Sequence, residues 1–260
     1  MIVECAHASL EFLDRAREKQ HDVHQIFERA RKSGLRWVTG TEAASGGGPL
    51  AQLIHDEAKK HGFRSWVPSL NGINTDCWIA VDKEFFTKGS ISRDYIPVVP
   101  SSEAFYAERG MSPVGRPRWA ARGLTIVSFK NPDLGEFNIA AGHYIVAAAG
   151  FEPLNRKIAD TAAQWASDVA KGPGLAFYAG DQNLNDKSKD TFFGAPLTSV
   201  WDELGKWDDT GHGTYDVIAT YDRDRRVRPV YIRALKDQRF PLFSDHFFVE
   251  AGFEIGRLRP

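Results

Sequence analysis

The chain has 260 residues, 42% of them hydrophobic and 26% charged, with 33 Lys plus Arg against 34 Asp plus Glu. This composition excludes a disordered tail, a collagen-like chain and a disulfide scaffold. The near-neutral charge provides no global field toward nucleic acid or anionic lipid, so any phosphate binding must be local.

The length fits one large domain or two small ones. No Ser- or Pro-rich linker divides the chain, which favours a single domain over residues 1–260. Two cysteines, Cys5 and Cys77, make no framework, and Cys5 in an apolar run is expected to be a buried thiol. The first residues lack the apolar core of a signal peptide, and no stretch approaches about 18 apolar residues. The expectation is a soluble, cytoplasmic protein with no membrane association and no obligate protein partner.

In chain order, Met1–Cys5 is a short apolar run. Ser9–Lys32 has helical spacing, with Asp22 as a cap for a second helix inside it. Arg36–Thr41 is strand-like. A glycine-rich loop, Ser45–Pro49, follows, and Pro49 opens a helix to about Lys60. Phe63–Pro68 and Asp76–Val81 read as strands, and Phe86–Ala121 as a long irregular region rich in turn residues. Leu124–Phe129, Phe137–Ile145 and Leu175–Ala179 are strands. A helix over Leu154–Ala170 carries Ile158, Ala162, Trp165 and Val169 on one face. Tyr215–Thr220, Val227–Ile232 and His246–Ala251 are β-rich. Many strands with few helices indicate an α/β or α+β sandwich, two sheets face to face with helices outside.

Four segments place an acid/base or metal-type residue at the end of an apolar run, where sites are commonly built. WVTGTE ends on Glu42, a carboxylate placed to hold a hard cation. NIAAGH ends on His143, with Gly142 allowing close backbone approach. YAGDQN holds Asp181 and Asn183 two residues apart, on one side of an extended chain. FSDHFFV joins Asp245 and His246 at a strand entry. Each segment alone also reads as ordinary structure: a cap, a core histidine, an Asx turn, a solvated turn.

Together, the order Glu, His, Asp-x-Asn, Asp-His resembles the endonuclease/exonuclease/phosphatase family, the deoxyribonuclease I-like superfamily, over nearly the whole chain. Glu42 matches the metal-binding Glu of the family's QE motif, with Thr41 in place of Gln. His143 matches the His of the NTHL-type motif, here AGHY. Asp181 and Asn183 match GDFN, here GDQN, and Asp245 and His246 match an intact SDH. Asp216 matches the acid that pairs with the terminal His, and Asp76 the acid that orients the other His. Arg122 sits where many members carry a phosphate-contacting basic residue. His7 stands where members usually have Asn at the end of the first strand; it can ligate, but prefers softer metals than an all-oxygen site.

The resemblance implies a four-layer α/β/β/α sandwich of two mainly antiparallel mixed sheets with outer helices. It also implies a metal-dependent phosphoesterase, most readily a nuclease acting on DNA or RNA. Phosphoryl transfer needs an in-line water, neutralised phosphoryl oxygens and a stabilised leaving oxygen. Glu42 and Asp245, with His7 beside them, would hold Mg²⁺ or Mn²⁺. Asp181 would position or deprotonate the water and Asn183 would steer an oxygen. His246, oriented by Asp216, would act as acid/base or donor, and His143 would donate to phosphate oxygens or assist the leaving group. The alternatives are a phosphatase or phosphodiesterase on a small or lipid-linked phosphate, and a non-catalytic binding protein of the same fold.

Weaker features remain. The Ser45–Pro49 loop lacks the Gly-Lys-Ser/Thr ending of a P-loop. His21 and His24 share a helix face without an evident third ligand and read as a solvated face. Four arginines in Arg223–Arg228, with Arg116, Arg118 and Arg122, suggest a phosphate-binding surface, weakened by Asp222 and Asp224. Trp119 is placed to stack on a base.

Overall fold

A computed structural model describes residues 1–10, 16–43, 48–73, 75–145, 151–183, 196–206, 208, 210, 216–221, 223–236, 242, 244 and 246–257. The readings made at Asp245, Tyr215, Asp222 and positions 45–47 lie outside these residues. The strands are β1 (Ile2–Ser9), β2 (Trp37–Thr41), β3 (Phe63–Trp66), β4 (Trp78–Asp82), β5 (Ser92–Val99), β6 (Arg122–Asn131), β7 (Gly135–His143), β8 (Leu175–Asp181), β9 (Thr198–Ser199), β10 (Asp216–Tyr221), β11 (Val227–Leu235) and β12 (Phe248–Ile255). The helices are α1 (Ala16–Ser33), α2 (Gly48–Lys60), α3 (Ser102–Ala107), α4 (Glu152–Val169) and α5 (Val200–Glu203).

Two six-stranded mixed sheets result, ordered β11-β12-β1-β2-β4-β3 and β5-β6-β7-β8-β10-β9. Each has one parallel pair, β1/β2 and β7/β8, among antiparallel neighbours. Strand alternation distributes the apolar residues between layers. Val3, Cys5, Trp37, Ile79 and Phe253 face the second sheet, while Ala6, Ala8, Val38, Trp78 and Ala80 face α1 and α2. Between the sheets Trp37 meets Phe177 edge-on at 4.9 Å, and Phe177 stacks on Phe137 at 5.7 Å. Helix α1 buries Val23, Ile26, Phe27 and Ala30, and α2 buries Leu50, Ala51, Ile54 and Ala58, on the outer face of the first sheet. Helix α4 packs Ile158, Ala162 and Trp165 beside the second sheet. The order helix, sheet, sheet, helix is the expected four-layer sandwich.

Several readings are corrected. The first strand runs on to Ser9, so the helical stretch begins at Ala16 rather than Ser9. No second helix opens at Asp22: it is buried within α1, where its Oδ2 accepts the Ser244 N–H at 2.9 Å. The region 86–121 contains a strand and a helix, β5 and α3. Its turn residues concealed the strand, yet β5 is an edge strand with a bulge between Pro97 and Val99, the position where proline is tolerated. Trp119 is not available for base stacking. It is 7% exposed and packs edge-on against Phe105, Tyr106 and Phe151. Both cysteines are buried free thiols, as expected for Cys5.

Candidate active site

The parallel pairs set the site. In β7/β8 the register aligns Gly142 with Gly180 and His143 with Asp181. Period-two alternation from Phe137 and Phe177 puts His143 and Asp181 on the face toward the other sheet. The glycines are required by contact: a Cβ on Gly180 would clash with the Gly142 carbonyl, and one on Gly142 would lie 2.5 Å from the Tyr178 hydroxyl. Strand β10 runs antiparallel to β8 with Asp216 opposite Asp181. On the facing sheet, β1 and β2 pair His7 with Thr39 and end at Ser9 and Thr41, just before Glu42.

His143 is 1% exposed. Its Nδ1 lies 2.9 Å from Asp76 Oδ2, and its Nε2 lies 3.7 Å from both Glu42 Oε1 and Asp181 Oδ2. Asp76 also pairs with Arg122 Nη1, which buries that arginine at 5% exposure. Burial alone would raise the Asp76 carboxyl, but Arg122 and His143 hold it well below the usual range. Burial and Arg122 oppose charge on His143; Asp76 and Asp181 outweigh them and raise its pKa. The Asn183 amide donates one hydrogen to His143 Nε2 and the other to the Tyr144 carbonyl, both at 2.9 Å. The carbonyl can only accept, which orients the amide and places the proton of the uncharged ring on Nδ1.

The second half of the site centres on Asp216, which is fully buried. Its Oδ2 takes His246 Nδ1 at 2.7 Å, and its Oδ1 lies 3.4 Å from His7 Nε2. Burial acts to raise its carboxyl, yet the hydrogen bond from His246 and the nearby His7 ring lower it to about 2. His7 Nδ1 is 2.9 Å from Thr39 Oγ1, whose hydroxyl donates to the Ala6 carbonyl at 3.2 Å. His246 Nε2 lies 3.9 Å from Asp181 Oδ2, so Asp181 stands between the two histidines. Its Oδ1 accepts the Asn183 N–H at 2.8 Å. Burial and the charge of Asp216 raise the Asp181 carboxyl against the pull of both histidines.

Glu42, His143, Asp181, Asn183, Asp216 and His246 are thus brought into one connected group, with Asp76 and Arg122 beneath it. His7 joins through Asp216 and not through the Glu42 cluster. Arg122 is committed to Asp76, and it does not extend the arginine surface around Arg228, which pairs with Glu254. Sequence reading missed Thr39, the partner of His7, whose only signal was its place two residues before Thr41 at a buried strand end.

The donor set suits a hard divalent cation. Glu42, Asp76 and His143 offer ligand atoms within 4.8 Å of one another, as do Asp181, Asp216 and His246. Burial, then the charges of Asp76 and Asp181, raise the Glu42 carboxyl despite His143 and Arg122. This excess of negative charge is what a divalent cation would neutralise. Glu42 also has φ +70°, a left-handed conformation that Glu adopts reluctantly, at a cost of about 1–2 kcal/mol. Glu42→Gly is therefore expected to keep or raise stability by up to about 1 kcal/mol in urea unfolding, since glycine takes this φ freely. The same variant should weaken Mn²⁺ binding by about tenfold or more in a calorimetric titration. A loss of stability with unchanged Mn²⁺ affinity would reverse both assignments.

Comparison with solved structures identifies the fold. The chain superposes on the endonuclease/exonuclease/phosphatase from Bacteroides vulgatus with a TM-score of 0.71 at 15% identity, over 98% of this chain and 100% of that one. It matches D. rerio TDP2 humanized by 14 mutations at TM-score 0.69 and 14% identity, over 97% and 98% of the two chains. It matches the human Nocturnin catalytic domain with bound sulfate at TM-score 0.69 and 14% identity, over 98% and 95%. No protein-family model matches the sequence, and no curated protein matches significantly. The chain has the endonuclease/exonuclease/phosphatase fold, as its motifs suggested.

Proposed function

We propose that the chain is a divalent-metal-dependent phosphoesterase that hydrolyses phosphodiester bonds in nucleic acid, DNA or RNA. The observation that carries this reading is Asp181 facing the Nε2 atoms of His143 and His246, at 3.7 and 3.9 Å, with each histidine backed by its own buried aspartate. Two oriented imidazoles on either side of one carboxylate suit a reaction that moves a proton from water and places charge on phosphoryl oxygens. The solved structure of D. rerio TDP2 with a single strand DNA product, on the same fold, supports nucleic acid as the substrate class.

Glu42, with Asp245 from the intact SDH motif, would hold Mg²⁺ or Mn²⁺, which when bound polarises the phosphoryl oxygens. Asp181 orients the attacking water and accepts its proton. Asn183 holds Asp181 through its backbone N–H and reaches His143 with its amide. Asp76 fixes the His143 proton on Nδ1, leaving Nε2 toward the substrate side. Asp216 does the same for His246, and His7 steadies Asp216 from its other oxygen. Among the described residues no helix is long and apolar enough to cross a membrane.

The test is hydrolysis of plasmid DNA, single-stranded DNA, RNA and a bis-phenyl phosphodiester, each with Mg²⁺, Mn²⁺ or chelator, beside His246→Ala. Metal-dependent cleavage of a polynucleotide, reduced about 10²-fold or more in the variant, is expected. Turnover only of small phosphomonoesters would replace the nuclease reading with a phosphatase. No turnover with any metal would overturn the enzymatic reading.

A further inference from the structure

A second group of metal-type side chains lies outside the candidate active site. His24 on α1, Glu57 on α2 and His61 in the turn directly after α2 converge on the outer helical layer. His24 Nδ1 is 2.9 Å from Glu57 Oε2, and His61 Nε2 is 3.3 Å from the same oxygen. The two imidazole centroids are 5.5 Å apart, tilted by 58°. All three ligand atoms lie within 4.8 Å of one another. None of these residues belongs to the group between the sheets. The sequence singled out His24, with His21, as a metal-type pair lacking further ligands; the packing of α1 against α2 supplies two, from 33 and 37 residues further along.

We propose that His24, Glu57 and His61 form a second metal site, selective for zinc or a similar borderline cation, that ties α1 to the turn between α2 and β3. Three observations support it. The first is donor chemistry: two imidazole nitrogens and one carboxylate oxygen suit Zn²⁺, whereas Mg²⁺ prefers an all-oxygen site. The second is spacing. Zinc bonds of about 2.0–2.1 Å set tetrahedral ligand atoms about 3.3 Å apart, close to both distances from Glu57 Oε2. The third is an orphan: His61 Nε2 is buried and makes no hydrogen bond among the described residues, though its ring stands beside the carboxylate. A buried imidazole nitrogen without a partner is costly to leave so, and a metal ion would satisfy it.

The surrounding charges are compatible. Lys60 Nζ lies 3.2 Å from Glu57 Oε1, the other oxygen, so the cation and the lysine use different atoms of one carboxylate. His24 is 37% exposed, against 14% for Glu57 and 15% for His61, so the site opens to solvent on the His24 side and water can take the fourth position.

The test uses the full chain stripped with chelator and titrated with Zn²⁺ and Co²⁺. Zinc could also enter the candidate active site, so the titration is repeated in Glu42→Gln/Asp181→Asn. One zinc equivalent is expected to remain in that background. The Tm should rise by about 5 °C when free zinc is about 100-fold above Kd. Both effects should vanish in His24→Gln and in His61→Gln. Made singly in the otherwise unaltered chain, the same two histidine substitutions should leave hydrolysis of the parent's substrates in Mg²⁺ at the parent's rate, which separates this site from the proposed function. On the unaltered chain, Co²⁺ should give the intense visible absorption of a tetrahedral nitrogen-containing site, absent from His61→Gln. Zinc stoichiometry unchanged by either histidine substitution would overturn the proposal. So would the absence of bound zinc in the Glu42→Gln/Asp181→Asn chain, or an octahedral cobalt spectrum on the unaltered one.

Discussion

Asp181→Asn is expected to lower kcat by about 10²–10⁴-fold with little change in KM, and to leave the fold intact or slightly more stable. Asparagine keeps the size of the side chain and an Oδ1 that can accept the Asn183 N–H, now 2.8 Å from Asp181. What it loses is a negative, proton-accepting oxygen between two imidazoles. The stability effect has the opposite sign. Burial and Asp216 raise the Asp181 carboxyl, so the folded state binds its proton more tightly than the unfolded state. Stability then falls as pH rises through the range above the unfolded carboxyl value, and the ionised group is unfavourable at neutral pH. Removing it also relieves the repulsion with Asp216, its cross-strand neighbour. Steady-state kinetics and thermal unfolding on the same preparation check both halves. A variant within tenfold of the parent kcat would remove Asp181 from the chemistry.

The same neighbourhood shows what a sequence can and cannot reveal. Glu42, His143, Asp181 and Asn183 were legible because each ends an apolar run, and a strand end is a local property. The pairing of Asp216 with His246 was legible only through the family pattern, since the two are 30 residues apart. Contacts that depend on packing were hidden. Asp22 looked like a cap because aspartate commonly caps helices; its carboxylate instead accepts, inside the fold, the Ser244 N–H from 222 residues away. The segment of β5 was read as irregular because its region is rich in turn residues, and only the finished sheet makes it an edge where Pro97 is tolerated. Trp119 looked available because it sits in a loop; the aromatic residues that cover it come from α3 and from Phe151 at the start of α4. Arg122 was read as a phosphate contact from the family pattern; its pairing with Asp76 across the sheet interface is a packing contact that no local signal announced.

That last pair supports the prediction with the largest effect on stability. Asp76→Asn removes the charge partner of an arginine that is 5% exposed, and a buried charge left alone costs about 3–5 kcal/mol. At about 2–4 °C per kcal/mol, Tm should fall by about 6–20 °C. Because the Asp76 carboxyl is held below its ordinary range, the pair's stabilisation is present above pH about 4. It is lost as pH falls through the folded value. The parent should therefore unfold in acid more steeply than the variant. Adding Arg122→Met removes the orphaned charge as well, and a methionine of similar length should recover most of the lost Tm. Activity should not recover with it. Asparagine can still accept the His143 Nδ1–H, but it cannot stabilise a positively charged ring, so the double variant should fold well and turn over about 10-fold to 100-fold more slowly than the parent. Recovery of both Tm and kcat would mean that Asp76 serves only to neutralise Arg122. Recovery of Tm alone separates the two tasks of one carboxylate: holding a buried arginine with one contact, and setting the proton on His143 with the other.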